Sequence, residues 1–370
     1  MRRSPTIADV ARAAGVSKGT VSFALNDRPG VAPATKARIL AAAEELGFRP
    51  SHRARALSHS RAFALGLVMA RPPELLGADP FFPAFIAGVE TELAEAGHAL
   101  LLRVVTGGWE EEAEGYRRLA ADGRVDGVFL TDLRVGTDPR LKLLTDLRLP
   151  AVTLQLPDAD SPFPAVTLDE RSGVGAVVEH LAGLGHRRIA HVAGPQEFVH
   201  GSGRRTAFRE AMTGLGLPPG AEVVGDFTAA GGATATRGLL ASPEAPTAIV
   251  YANDLMAIAG ITVAHERGLR IPDDLSVTGF DDTELAGHVH PPLTTVRVDA
   301  LGMGRAAARL LLRHVEQPDG GTTEHVALPP AELVPRRSTA PPPRTPGPPA
   351  SPRPLSPPPA PTAPEPGSPA

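Results

Sequence analysis

The stretch from Thr6 to Leu57 reads TIADVARAAGVSKGTVSFALNDRPGVAPATKARILAAAEELGFRPSHRARAL, and its first half has the pattern of two short helices joined by a turn. Thr6 can cap the first helix, because Asp9 follows three residues later in a near capping box. Gly15 supplies the tight turn, and Ser17 is an N-cap candidate for the second helix. The pattern predicts a helix-turn-helix, whose second helix lies in the major groove of DNA.

A third helix is expected from Pro33, which suits a first helical position, to the stop at Gly47. This helix is expected to pack and not to read DNA. The segment from Pro50 to Leu57 has room for only two helical turns, and a helix that short is marginal in water. It is therefore predicted to fold only when another surface holds it, with a plain linker as the alternative.

Several short motifs in this stretch resemble the LacI family of bacterial transcription regulators. They are TIADVA from Thr6, AGVS from Ala14, TVS from Thr20 and LN from Leu25. The resemblance continues through the body, over roughly residues 5–339. It implies a sequence-specific DNA-binding regulator, most simply a repressor, that binds double-stranded DNA at a near-palindromic operator as a homodimer. A ligand-binding sensor without operator function is the alternative.

The resemblance assigns base readout to the start of the second helix. Lys18 and Gly19 occupy the two positions that the family uses most, and lysine can donate to guanine O6 and N7. Glycine reads nothing, so readout should also involve the residues that follow, Thr20, Ser22 and Phe23. Phe23 could contact a thymine methyl group or could simply pack. Asn26 is expected to touch the DNA backbone, which positions the protein without specifying sequence.

In the family, the segment after the third helix is a hinge helix that pairs with its twin and inserts a leucine into the minor groove. By position that leucine is Leu57, with Ala54 packing beside it and with Arg53 and Arg55 near phosphates. Inserting a wedge costs roughly a few kcal/mol per base step, which bending and added contacts offset.

Composition and charge limit the number of domains and the kinds of site that this chain can contain. The chain of 370 residues is long enough for two or three domains, and its 42% hydrophobic content can form a sizeable core. The absence of cysteine excludes disulfides, thiolate metal sites and a cysteine nucleophile. Residues 1–62 hold 11 lysines and arginines against 4 acidic residues, although the whole chain has a net charge of −4. A basic head on an acidic body suits phosphate contact by the head, although small helical domains are also often basic by chance.

No signal peptide or membrane-spanning run is recognised in the sequence. A cytoplasmic, nucleoid-associated protein without a membrane partner is therefore expected. Residues 340–370 hold 15 prolines and almost nothing apolar to bury, so a disordered tail is predicted. The tail has no heptad repeat, which favours a dimer over a tetramer, and binding of a partner through its proline-rich segments is a further possibility.

From Phe63 onward, short apolar runs alternate with stretches of helical spacing, which is typical of doubly wound parallel sheets. Two such series predict a hinged α/β body with two lobes, and the resemblance implies the fold of a type I periplasmic sugar-binding protein. The strand at 165–169 is expected to open the second series, and the strand at 292–296 to return to the first lobe.

The expected domain boundaries follow from these patterns. They are a helix-turn-helix domain at 1–50, a hinge at 51–62, a two-lobe domain at 63–338 and a proline-rich tail at 339–370. The first lobe is expected at about 63–158 and 292–325, and the second lobe at about 159–291 and 326–338.

An effector site is expected between the lobes, because ligands of such proteins bind at the carboxyl ends of the strands. Six residues near such ends or in motifs of the family are candidates for effector binding: Phe81, Gln155, Arg204, Phe227, Asn253 and Asp281. Arg204, Asn253 and Asp281 lie in stretches that resemble effector-contacting motifs of the family. An arginine and carboxylates beside an aromatic platform suit a sugar or another polyol. Each of these residues could instead be a helix cap or a salt-bridge partner.

Enzyme chemistry finds no support in the sequence. There is no P-loop, no G-x-G-x-x-G that opens a helix after a strand, and no H-E-x-x-H. The 12 histidines form no cluster with the spacing of metal ligands. We therefore expect a non-enzymatic protein without a metal or a cofactor.

Overall fold

The computed structural model describes residues 5–25, 29–48, 61–71, 73–157, 161–317 and 324–343. These ranges form a three-helix head and an α/β body with two lobes. The DNA contacts predicted for five residues lie outside the described residues: Asn26, Arg53, Ala54, Arg55 and Leu57. The predicted tail lies outside them from residue 344 on.

The head consists of the helices α1 (Ile7–Ala14), α2 (Lys18–Leu25) and α3 (Pro33–Glu45). The Thr6 backbone N–H donates to the Asp9 carboxylate at 2.9 Å, as the near capping box predicts. Gly15 ends α1 with a φ of 64°, a left-handed conformation that glycine adopts without strain. All three helices contribute to one small core, which includes the fully buried side chains Val10, Val21 and Ile39. The predicted helix-turn-helix is confirmed.

The body alternates strands and helices almost throughout. In chain order its elements are β1 (Ala64–Met69), α4 (Pro73–Ala78), α5 (Phe81–Glu95), β2 (Ala99–Val104), α6 (Trp109–Ala121), β3 (Gly127–Leu130), α7 (Pro139–Asp146), β4 (Ala151–Leu154), β5 (Ala165–Thr167), α8 (Glu170–Gly183), β6 (Ile189–Ala193), α9 (Val199–Gly214), β7 (Glu222–Val224), α10 (Ala229–Leu240), β8 (Ala248–Tyr251), α11 (Asp254–Glu266), β9 (Ser276–Thr278), a short 3-10 helix (Glu284–Gly287), β10 (Thr295–Arg297), α12 (Ala300–Glu316), β11 (His325–Ala327) and β12 (Glu332–Val334).

The first lobe is built on a parallel sheet with the strand order β11–β5–β4–β3–β1–β2. Its central strands are short apolar runs that helices cover on both faces, as buried parallel strands require. Helix α12 returns to this lobe, as predicted, and crosses α5 closely at two glycines. A Cβ atom on Gly88 would lie 2.1 Å from the carbonyl oxygen of Leu301, and one on Gly304 would lie 2.1 Å from that of Phe85.

The second lobe is built on a parallel sheet with the strand order β7–β6–β8–β9. Strand β6 is buried along its whole length, and α9 packs against it through Phe208. Strands β10 and β12 form an antiparallel pair beside this sheet. Isolated bridges join Thr278 to Thr294 and Asp281 to Arg297, so the pair continues the second lobe at its β9 edge.

Two strand assignments differ from the sequence expectation. The strand at 165–169, expected to open the second lobe, is β5, which pairs with β4 and β11 in the sheet of the first lobe. The strand at 292–296, expected in the first lobe, leads into β10, which pairs with β12 beside the second lobe. The physical reason is that a short apolar run shows strand formation but carries no information about its pairing partner.

No helix within the described ranges is long and apolar enough to cross a membrane. In the same ranges, no group of three or more histidine, cysteine or acidic side chains stands close enough to hold a metal ion. The ring of His186, in the LGHRRIA segment, instead bonds to Thr247 at 2.9 Å and to the carbonyl oxygen of Ala340 at 2.8 Å. This histidine therefore connects the second lobe to the segment around Ala340 that follows its last strand.

Candidate functional site: the cleft between the lobes

The six residues predicted at the effector site line one cavity between the lobes, which we call the deep cavity. Its volume is about 70 Å³, and its walls consist of Arg71, Asp79, Phe81, Phe82, Thr131, Asp132, Leu154, Gln155, Glu170, His200, Arg204, Phe227, Asn253, Asp281 and Met303. Most of these residues follow the carboxyl end of a strand, which is where open parallel sheets bind ligands. The topology therefore brings together residues that are up to 232 positions apart in the sequence.

Arg204 is held rigidly at the floor of the deep cavity. Its Nε and Nη2 donate to the two carboxylate oxygens of Glu170 at 3.2 and 2.7 Å, and its Nη1 donates to the carbonyl oxygen of Ala252 at 2.6 Å. Its guanidinium carbon stands 3.7 Å from the ring centroid of Phe280. A guanidinium has five N–H donors, so two remain for a ligand. Glu170 begins α8, and the sequence analysis did not single it out.

Asp281 presents an uncommitted carboxylate to the same cavity. Its side chain is 12% exposed and makes no hydrogen bond to any described residue, and its nearest cation is Nη2 of Arg204 at 3.9 Å. Burial raises the pKa of Asp281 well above its ordinary value, against the opposing effect of Arg204. Its φ of 107° is unusual for a non-glycine residue, and such conformations concentrate at functional sites.

The amides of Asn253 and Gln155 also make structural contacts. The Asn253 carbonyl oxygen accepts from the backbone N–H of Met256 and caps α11, while its NH₂ group donates to the Phe227 carbonyl oxygen at 3.0 Å. The Gln155 amide exchanges two hydrogen bonds with the backbone of Leu168, at 3.1 and 3.3 Å. Each amide retains one N–H and one lone pair for a ligand. Their contribution to effector binding stays a prediction.

Phe227 is the predicted aromatic platform, and the structure places two other side chains against it. The ring of His200 lies nearly parallel to it, with 5.4 Å between the ring centroids, and the guanidinium carbon of Arg71 is 5.7 Å from its centroid. His200 also stacks on Phe198, at 5.7 Å. Burial lowers the pKa of His200 to about 4, so the imidazole is neutral near pH 7. Phe81 contacts Phe82 edge to face and both line the cavity, although Phe82 is also part of the core.

Arg71 and Asp132 form an ion pair that the sequence analysis missed. The Arg71 Nε and Nη2 donate to the two Asp132 oxygens at 2.7 and 2.6 Å, and Nη1 lies 3.6 Å from Asp79. Asp132 is held in place because Arg140 donates to its backbone carbonyl oxygen at 2.8 Å. Burial is the largest single effect and disfavours the charged carboxylate, but the combined effect of Arg71, His200 and Arg140 outweighs it and lowers the pKa of Asp132. A sequence feature could have identified both residues, because Arg71 and Asp132 each lie two residues beyond a strand.

The two lobes touch at the mouth of the cleft through backbone hydrogen bonds. The Val135 N–H donates to the Glu197 carbonyl oxygen at 2.9 Å, and the Val199 N–H donates to the Leu133 carbonyl oxygen at 2.8 Å. Arg71 of the first lobe adds a contact across the cleft, because its guanidinium lies over rings of the second lobe. The structure therefore shows the lobes closed over the deep cavity.

The predicted base-reading residues lie on one exposed helix of the head. Lys18 and Gly19 are exposed in the first turn of α2, and the backbone N–H of Thr20 donates to the Ser17 hydroxyl at 3.1 Å, which caps the helix as predicted. Ser22 is half-buried one turn further on. The Phe23 side chain is 43% exposed and is not among the core residues of the head, and its contact with DNA or packing stays open. Base contacts by these residues stay predictions.

Comparisons with known proteins agree with both the helix-turn-helix head and the two-lobe body. The family model "Bacterial regulatory proteins, lacI family" matches residues 6–51, and the model "Periplasmic binding protein-like domain" matches residues 178–339. The chain is 37% identical over 333 residues to the HTH-type transcriptional regulator CelR of Thermobifida fusca, over 88% of this chain and 96% of that protein.

Two solved structures are similar over nearly the whole chain. The complex of the regulator CelR with cellobiose has a TM-score of 0.69 and 33% identity, and the match covers 90% of this chain and 99% of that one. The lac repressor dimer bound to its operator and the anti-inducer ONPF has a TM-score of 0.77 and 29% identity, and the match covers 91% and 100%. The helical head and the two-lobe body therefore occur together in these proteins in the same order.

Proposed function

The chain belongs to the LacI family of bacterial transcription regulators, and on that premise we propose that it is a dimeric, sugar-responsive repressor. Membership makes it a DNA-binding regulator and not an enzyme. The single observation that supports the effector assignment is that the six side chains predicted from the sequence all line one interlobe cavity in a helix-turn-helix protein. A homodimer matches a near-palindromic operator, because a two-fold protein axis imposes symmetry on the half-sites. We place this activity in the cytoplasm, on the nucleoid.

On DNA, we assign base readout to Lys18, with Thr20, Ser22 and Phe23 beside it. Lysine donates to guanine in the major groove, and Gly19 lets the helix backbone approach the bases closely. By family position, Leu57 of the hinge enters the minor groove, Ala54 packs beside it, and Arg53 and Arg55 lie near phosphates. Asn26 contacts the DNA backbone.

The chemistry of the deep cavity favours an uncharged polyol as the effector. Four carboxyl groups and two guanidinium groups line it, and both guanidinium groups are already paired with carboxylates, so neither is left unpaired for a negatively charged ligand. Arg204 supplies donors, Asp281 supplies acceptors and the neutral His200 supplies one of each, which suits sugar hydroxyl groups. The aromatic rings of Phe81 and Phe227 offer apolar surface to the C–H groups of a sugar.

Effector binding is coupled to DNA through the angle between the lobes. A ligand that contacts both lobes favours one lobe angle, which changes the spacing of the two hinge segments of a dimer. Hinge folding and leucine insertion then become easier or harder. Such a coupling free energy is typically about 1–3 kcal/mol.

The proposal is tested with the purified full-length chain and an operator fragment selected from genomic DNA. We expect tight binding that a neutral sugar changes by roughly 5- to 150-fold, the range of typical allosteric coupling. Sugar binding without any specific DNA binding would instead show a ligand sensor that lacks operator function. Specific DNA binding that no sugar changes would overturn the assignment of the effector.

A further inference from the structure

A network of charged side chains lies buried inside the first lobe, outside the walls of the deep cavity. It consists of Glu112 of α6, Asp138 directly before α7 and Arg140 of α7, whose side chains are 0%, 0% and 4% exposed. Arg140 donates from Nε and Nη2 to the Asp138 carboxylate, at 2.9 and 2.6 Å, and from Nη1 to Glu112 at 3.3 Å. A role for these three residues therefore has to be found away from the cavity wall.

Such a network is not the usual way to stabilise a lobe. Taking charged groups out of water costs free energy, and replacing a buried ion pair by apolar side chains of similar size is often neutral or stabilising. The surrounding core is apolar, and it includes Leu141 and Leu144 of the same helix α7. The buried charges therefore point to a role other than stability.

The network holds one backbone segment, residues 131–135, which we call the clasp segment. Arg140 donates from Nη1 to the carbonyl oxygen of Thr131 at 3.0 Å and from Nη2 to that of Asp132 at 2.8 Å. All five N–H groups of the Arg140 guanidinium therefore have an acceptor. The φ of Asp132 is 51°, and a non-glycine residue keeps such a conformation only where its surroundings enforce it.

The two carboxylates of the network hold the clasp segment from its other end. The Asp138 carboxylate accepts from the backbone N–H of Arg134 at 3.0 Å, and the Glu112 carboxylate accepts from the Arg134 side chain at 3.1 Å. The same network therefore fixes the segment at three backbone atoms and at one side chain.

The clasp segment belongs both to the deep cavity and to the contact between the lobes. Thr131 and Asp132 line the cavity. Two residues further on, Arg134 forms an isolated antiparallel bridge with Phe198 of the second lobe. The next residue of that lobe, Val199, packs its side chain against the core of the first lobe. A shift of the clasp segment would therefore change the cavity wall and the lobe contact together.

We propose that Glu112, Asp138 and Arg140 are positioning residues, which fix the clasp segment so that the second lobe can close onto it. Their network sets the closure of the lobes and is not required for the folding of the first lobe. This inference deepens the proposed function and rests on it, because there the angle between the lobes couples the effector to DNA.

Two variants separate positioning from stability. The triple variant Glu112→Gln, Asp138→Asn, Arg140→Met removes the charges at similar size, and asparagine is also a good N-cap for α7. Arg140→Lys keeps a positive charge, but an ammonium group cannot reach the acceptors that the planar guanidinium reaches together. The control is Arg309→Met with Glu92→Gln, because this pair joins α12 to α5 by two bonds of 2.7 Å and lies outside the clasp segment.

The experiment is hydrogen–deuterium exchange of the full-length chain, measured by mass spectrometry without sugar or DNA. In the natural chain a peptide that contains Val199 should be protected, because the Val199 N–H donates to the Leu133 carbonyl oxygen across the cleft at 2.8 Å. In both variants this second-lobe peptide should exchange at least about tenfold faster, as the loss of about one hydrogen bond produces. Peptides of β3 and α6 should stay protected, and the control should behave like the natural chain.

A folded variant with unchanged exchange at Val199 would overturn the inference. Equally fast exchange in β3 and α6 would also overturn it, because a network that only stabilised the first lobe would loosen those elements too. Fast exchange at Val199 in the natural chain would overturn it as well, since no closed contact would then exist to be positioned. If the triple variant does not fold, Arg140→Lys alone decides. These outcomes involve neither operator nor sugar, so the inference can fail while the proposed function stands, and failure of the proposed function shows only in the operator experiment.

Discussion

The Asp281 carboxylate lies 3.9 Å from the guanidinium of Arg204, too far for a hydrogen bond, and it makes no other side-chain hydrogen bond within the described residues. Arg204 is meanwhile committed to Glu170 on the other side. The site therefore combines a tightly held ion pair with an unsatisfied carboxylate in one closed cavity. An unsatisfied buried acceptor costs free energy. It is therefore expected where a bound ligand completes the missing hydrogen bonds.

Asp281→Asn should weaken effector binding and leave the fold intact. A typical hydrogen bond contributes about 0.5–1.5 kcal/mol, so the dissociation constant should rise roughly 2- to 10-fold. The adjacent Asp282 provides the control, because it pairs with Arg297 and Arg336 and does not line the deep cavity. Calorimetry should show Asp282→Asn with normal sugar affinity and lower stability. Normal sugar affinity in Asp281→Asn, with weakened affinity in Asp282→Asn, would show that Asp281 does not contact the effector.

Arg204→Ala should abolish the response of operator binding to the effector, with operator affinity itself unchanged. The reason is that Arg204 lines the deep cavity whereas the DNA-reading residues lie on the head. Arg205→Ala is the matched control: Arg205 pairs with Glu222, does not line the cavity and should leave the response normal. Fluorescence anisotropy of labelled operator, with and without sugar, measures both quantities.

Removing Arg204 alone leaves Glu170 without its partner, and breaking a buried pair costs about 3–5 kcal/mol. The double variant Arg204→Met with Glu170→Gln removes both charges and serves as the folding control. A folded double variant that still responds normally to sugar would contradict the role given to Arg204.

His191 should give the second lobe a pH-dependent stability. Its Nδ1–H donates to the Val250 carbonyl oxygen at 2.9 Å, its Nε2 has no partner among the described residues, and burial lowers its pKa to about 4. An unfolded histidine binds a proton near pH 6.5, so below that pH the unfolded state binds more protons and stability falls. The loss should be about 1–2 kcal/mol between pH 6.5 and 5.

His191→Asn keeps a donor near Val250 and removes the titrating group. Denaturant unfolding at several pH values should show a weaker loss of stability on acidification for this variant than for the natural chain. Equal slopes in the two proteins would contradict a neutral, buried His191.

Lys18→Ala should lower operator affinity by about 1–3 kcal/mol and relax the preference at one base pair in each half-site. The exposed position of Lys18 in the first turn of α2 is the structural basis. Lys142→Ala is the control, because Lys142 is an exposed lysine of the first lobe that pairs with Asp146. Binding to a set of operators with single base changes measures both effects, and an unchanged sequence preference would refute this readout.

The sequence predicted which positions share the cleft but not how their side chains are used. The strand-end rule placed Asp281 and Asn253 in one cavity, because the carboxyl ends of parallel strands share an edge. It did not show that Asn253 caps a helix, since that depends on contacts with Met256 and Phe227. Arg71 also follows a strand, but a strand end alone does not distinguish a cavity-lining side chain from its neighbours.

The pairing of strands was the other feature that the sequence did not predict. The apolar runs correctly predicted strands at β5 and β10, but each pairs in the lobe opposite to the one expected. Both strands lie where the chain crosses between lobes, and at such points sequence order no longer indicates spatial order. The head was predicted more fully, because caps, turns and helical spacing are local features.

The most direct test of the central claim is selection of genomic DNA fragments by the purified, full-length protein. Sequencing of the bound fragments should reveal one enriched, near-palindromic site, and adding the matching sugar should change its enrichment. Repeating the selection with Lys18→Ala should weaken the base preference at one position in each half-site. If no sequence is enriched, with or without added sugars, the chain is not an operator-binding regulator and the account is contradicted.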